Sequence, residues 1–157
     1  MMRRYCAPMF KLVLALHILF AVFAIGPLVH AATTAGRGVR RGEATAVAAS
    51  ARMLRIYGYA SLLVVILGFA LMSSKSDFTH KTTAHFSQTW IWLSLLLWAF
   101  ASGVVFAVLV PSLTRAVASL ESGQSVDALK ARVAAGGGVV GVLFAVIVFL
   151  MVYRPGS

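Results

Sequence analysis

Leu62-Leu63-Val64-Val65-Ile66-Leu67 decides the fold. Six apolar residues in a row show none of the alternation that a membrane β-barrel strand needs, where every second side chain faces a polar lumen. The hexapeptide lies in a stretch, 56–74, of 19 residues without Asp, Glu, Lys or Arg. A helix crosses the hydrocarbon core, about 30 Å thick, with roughly 20 such residues. Lipid offers no partner to free backbone N–H and C=O groups, so a helix that satisfies them internally is the expected form. Working outward, three further stretches are free of charge: 12–36, 82–114 and 133–153, of 25, 33 and 21 residues. Each is long enough for one crossing and too short for two with a turn between. The expected fold is all-α, a polytopic transmembrane four-helix bundle. It forms a single integral membrane domain over 1–157, with spans near 11–35, 54–73, 87–112 and 133–153.

Composition agrees. Of 157 residues, 61% are apolar and only 11% charged, against about a quarter charged in a soluble domain. The net charge of +10 comes from 14 Lys and Arg that sit almost wholly between the apolar runs. That placement suits contact with anionic lipid headgroups rather than nucleic acid. The lone Cys6 excludes an internal disulfide and a thiolate metal cluster within one chain. Arg3 and Arg4 before the first run, with Val29-His30-Ala31 after it, loosely resemble a signal peptide. The run from Leu12 to Ala32 exceeds the usual signal core of roughly 7–15 residues, so it is read as a retained span.

Gly26-Pro27 falls inside the first helix, expected at 10–35, and predicts a kink because proline removes a backbone hydrogen bond. The basic segment that follows is rich in alanine, a strong helix former. Residues 43–73 are expected to form one long helix whose first turns project from the membrane. The third helix starts near Ser87 at an aromatic belt of Trp90 and Trp92 and passes Pro111 to about Leu120. Glu121-Ser122-Gly123-Gln124 is a turn, and Ser125 is a candidate N-cap for a helix from Val126 with Asp127 in its first turn. The halves resemble each other. Each has a proline-bearing span, a basic connection, and a second span ending near Met72 or Met151. The expected architecture is therefore two hairpins with cytoplasmic helical extensions. The long connections hold eight Lys and Arg against six on the other side, or against four if Met9 is the start. The positive-inside tendency then puts both termini outside and the long connections in the cytoplasm. The abundance of Ala, Val, Gly and Arg suggests a GC-rich bacterium, and the expected location is the bacterial cytoplasmic (inner) membrane.

No phosphate loop, nucleophile elbow or His-Glu-x-x-His is present. The four acidic residues, Glu43, Asp77, Glu121 and Asp127, all lie in connections, which argues against a carboxylate proton relay. His17 is different. It lies inside the first span, where an ionisable group is a functional candidate by default. It could take a haem iron or a copper ion, or bond a neighbouring helix. His30 is 13 residues further on and faces another way. With both termini outside, Cys6, Met9, His17, Met72, His80, His85 and Met151 gather near the outer surface. Thioether and imidazole suit copper, with His17, His85 and Met72 as the candidate ligands.

Small residues recur every four positions as Ala99, Gly103 and Ala107 in the third span and as Gly137, Gly141 and Ala145 in the fourth. Such faces allow close helix approach. They are expected to pack on each other within the bundle, or else to seat a second copy or a partner membrane subunit. Arg37, Arg40, Arg41, Arg52 and Arg55 are the candidate lipid-headgroup contacts.

Leu16-His17-Ile18-Leu19 followed by Ile25-Gly26-Pro27 resembles an uncharacterised family of small bacterial four-helix integral membrane proteins. The layout is also similar to the copper-resistance protein D domain and, more distantly, to a haem-binding protoporphyrinogen-oxidase-like family. That resemblance implies a ligand role for His17 alone. Where the copper relatives carry Trp-x-Gly, this chain has Ala24-Ile25-Gly26. Two functions follow as expectations. One is a non-catalytic accessory or structural membrane component, and the other is a haem- or copper-handling protein centred on His17. A small-solute transporter formed by an oligomer is a third.

Overall fold

The computed structural model describes residues 6–73 and 88–154. The first span comprises α1 (Cys6–Phe20), a π-turn (Ala21–Ile25) and α2 (Gly26–Arg41). The second is α3 (Ala44–Ser73). The third comprises α4 (Thr89–Val104), a π-turn (Val105–Leu109) and α5 (Val110–Glu121), and the fourth is α6 (Asp127–Tyr153). Four helices, of 33, 29, 33 and 27 residues, are long and apolar enough to cross a membrane. The described residues contain no strand. The chain is an all-helical bundle of four candidate membrane spans.

The two prolines act alike. In both odd-numbered spans a five-residue π-turn ends two residues before the proline, and Pro27 and Pro111 then occupy the first turn of α2 and α5. A proline has no N–H to give and its ring crowds the carbonyl four residues back. Widening the preceding turn accommodates both effects, and at the second site Val110 N–H reaches Val105 C=O, five residues back. The repeat between the halves thus extends from sequence to backbone.

The first helix does not stop near Ala35. It runs on to Arg41, and the reversal takes only Gly42 and Glu43. Gly36 and Gly38, weak helix formers in isolation, are held by packing. A Cβ at Gly36 would meet Ala134, and one at Gly38 would meet Val47. Gly42, with φ 70°, ends α2, and Glu43 N–H closes back on Gly38 C=O at 3.1 Å. Gly123, also at φ 70°, ends α5 in the same way, with Gln124 N–H on Ser119 C=O at 2.8 Å. Both turns use the left-handed conformation that glycine adopts without strain. The fourth helix starts at Asp127, not Val126. Ser125 Oγ still accepts from Asp127 N–H at 3.3 Å, while Lys130 Nζ sits 2.6 Å from Asp127 Oδ1.

Packing is uneven from end to end. α2 rests on α6 and α3, α3 on α5, and α4 on α6, whereas α1 rests on α3. The buried core therefore gathers toward the long connections, around Leu28, Val39, Leu54, Leu109, Leu113 and Val133. At the other end Trp90, Ile91 and Met72 form a small separate cluster. There the Arg154 guanidinium lies 5.7 Å over the Trp90 ring, joining the end of α6 to the start of α4.

Candidate functional site

His17 is half-buried on the side of α1 that meets α3. The meeting is possible because Gly68 has no side chain. A Cβ there would lie 3.4 Å from His17 Cε1 and 3.8 Å from Nδ1. The missing Cβ leaves room for the imidazole against α3. Nδ1 is buried and has no partner among the described residues.

The described residues contain no cluster of three His, Cys, Asp or Glu. Met72 packs on Trp90 and Ile91 instead, and Met9 and Met151 are exposed. His30 is exposed beyond the π-turn, with its carbonyl accepting from the Thr33 and Thr34 hydroxyls. His80 and His85 lie outside the described residues, as does the side chain of Cys6.

A polar contact joins α3 to α4 deep in the bundle. Trp98 Nε1 donates to Ser61 Oγ at 3.1 Å, and Ser61 donates to Gly58 C=O at 2.7 Å. Ser61 is fully buried, and the chain Trp98–Ser61–Gly58 satisfies an indole N–H that lipid could not. Sequence reasoning missed it. A serine inside the apolar run and a tryptophan eight residues past the belt at Trp90 were the available signals.

The glycine faces need correction. Gly137 and Gly141 pack on the first span, not the third: a Cβ at Gly137 would overlap the Ala32 carbonyl, and one at Gly141 would lie 3.3 Å from Thr33 Cγ2. Gly136, one residue to the side, is what receives Leu109 of the third span. Ala99, Gly103, Ala107 and Ala145 are exposed, and nothing lies within 4 Å of a Cβ built on Gly103. The inward face of the third span is Ala101, Val105 and Leu109, each at most 1% exposed. That row is offset by two residues from the small-residue row. Two residues are about 200° of helix, so one row faces in and the other out.

Arg37, Arg40, Arg41, Arg52 and Arg55 are all exposed at the connection end of the bundle. Arg41 approaches Glu43 at 3.9 Å, and Arg55 Nη2 donates to Thr114 Oγ1 at 3.1 Å.

Residues 11–155, which hold all four long apolar helices, match a family model described as a predicted integral membrane protein. The chain belongs to the DUF2269 family of predicted integral membrane proteins. It is a multi-pass integral membrane protein, as its apolar runs require. No curated protein and no solved structure matches it.

Proposed function

We propose that the protein is a non-catalytic component of a bacterial inner membrane that works by lateral assembly, with both termini outside and the arginine-rich connections in the cytoplasm. The observation that supports assembly is the outward face of Ala99, Gly103 and Ala107, a strip of three small residues with open space beside Gly103. Small residues on a lipid-facing helix let a second backbone approach closely. The occupant is a second copy or a partner membrane subunit. The exposed arginines Arg37, Arg40, Arg41, Arg52 and Arg55 then hold anionic headgroups around the assembly.

Mass measurement of the purified protein in nanodiscs tests the proposal. The expected result is a complex larger than one chain that falls to a monomer in Gly103→Leu. A monomer at every concentration, with no membrane subunit co-purifying, would sink it. So would a Soret band or stoichiometric copper that disappears in His17→Ala. Reporter fusions after Ser122 and Ser76 check the orientation, and external activity at Ser122 reverses it.

A further inference from the structure

A groove of about 610 Å³ runs between α3 and α5 at the connection end of the second and third spans. Its walls carry Ile56, Arg55, Arg52, Thr114, Val117 and Glu121. We infer that this groove seats one phospholipid with a zwitterionic, primary-amine headgroup, of the phosphatidylethanolamine type. The inference rests on reading the arginine collar as a lipid contact and narrows that reading to one headgroup.

The order of the groups along the membrane normal carries the assignment. The bond from Arg55 to Thr114 puts these two residues at one level on the antiparallel helices α3 and α5. Ile56 opens the charge-free run and marks the hydrocarbon side. From the Arg55–Thr114 level, Arg52 lies three residues toward the aqueous side, roughly 4.5 Å along the helix. Glu121 lies seven residues past Thr114, roughly 10 Å in the same direction. The sequence from lipid to water is thus apolar, guanidinium with hydroxyl, guanidinium, carboxylate. A phosphatidylethanolamine presents acyl chain, phosphate and then ammonium in that direction. The phosphate meets two guanidiniums, which recognise it through charge-assisted bonds. The outer ammonium meets Glu121 and can donate to it, which a quaternary choline cannot do.

The three charges do not cancel one another. Among the described residues neither Arg52 nor Arg55 lies within 4.0 Å of a carboxylate, and Glu121 forms no ion pair. Opposite charges that line one groove yet stand apart leave their pairing capacity for a ligand carrying both signs. A purely anionic headgroup such as phosphatidylglycerol satisfies the arginines and places uncharged hydroxyls against Glu121.

Native mass spectrometry of the full chain released from nanodiscs of matched acyl composition tests the assignment. Phosphatidylethanolamine, phosphatidylglycerol and phosphatidylcholine are supplied in equal amounts. One phosphatidylethanolamine is expected to be retained in preference to the other two. The joint Arg52→Ala and Arg55→Ala variant, at exposed sites that leave the fold intact, is expected to lose it. Glu121→Gln is expected to lower the ethanolamine-to-glycerol ratio by roughly fivefold, the size of one charge-assisted hydrogen bond at a partly exposed site. Equal retention of phosphatidylglycerol with no effect of Glu121→Gln overturns the headgroup assignment while the collar reading stands. No retained lipid of any kind, and no response to the arginine variant, overturns both.

Discussion

The bundle has two seams of equivalent position that are built oppositely. Where the first span meets the fourth, Ala32 faces Gly137, Thr33 faces Gly141 and Gly36 faces Ala134, and the backbones touch. Where the second meets the third, α3 rests on α5, but beyond α5 large side chains fill the space between the helices. Phe106 lies over Gly58, tilted on Tyr59 at 4.9 Å between ring centres, and Trp98 reaches Ser61. One seam is closed by van der Waals contact between backbones. The other is filled by aromatic rings and polar bonds, and carries a groove at its basic end. The closed seam gives rigidity, and the filled one leaves surface for a ligand.

The sharpest way to break this contrast is Gly137→Leu. The new side chain must displace the Ala32 carbonyl, which belongs to a helix backbone and cannot rotate away. A loss of about 3 kcal/mol or more is expected in unfolding from mixed micelles, at the upper end of overpacking costs. An unchanged unfolding midpoint would show that spans one and four do not touch. Gly58→Ala probes the filled seam. A Cβ there lies 2.7 Å from the Phe106 ring, but a side chain can move, so the expected cost is about 1–2 kcal/mol. Adding Phe106→Leu should recover most of it, because the two changes share one contact. Trp98→Phe removes one interhelical hydrogen bond and is expected to cost about 0.6 kcal/mol, the usual size in a membrane bundle. A double-mutant cycle with Ser61→Ala measures that pair directly. Smallest of all is Gly138→Ala. Nothing lies within 4 Å of its Cβ, so the helix should be no weaker and up to about 0.5 kcal/mol more stable. Adjacent glycines with opposite responses would confirm that contact, not glycine content, sets the closed seam.

Four charge-free runs made the four spans legible in the sequence, because the cost of burying charge and unsatisfied backbone in lipid leaves few alternatives. Glycine near the end of a helix and proline inside one were legible as signals, but their outcome was not. Pro27 and Pro111 widened a turn, and Gly36 and Gly38 stayed helical because neighbours filled the space beside them. For the candidate site, His17 stood out as a polar residue in an apolar run. Its surroundings did not, since Gly68 lies on another helix about 50 residues away.

Hydrophobicity by itself determined that this protein crosses a membrane four times and carries its charge in collars between the crossings, because transfer into lipid is a property of each segment alone. Which small-residue face turns inward was decided only by the tertiary structure. Ala99-Gly103-Ala107 and Gly137-Gly141 carry the same four-residue spacing, yet one faces outward and the other closes on Ala32 and Thr33. Close packing is a property of pairs, and a spacing read along one helix names a face without naming what it meets.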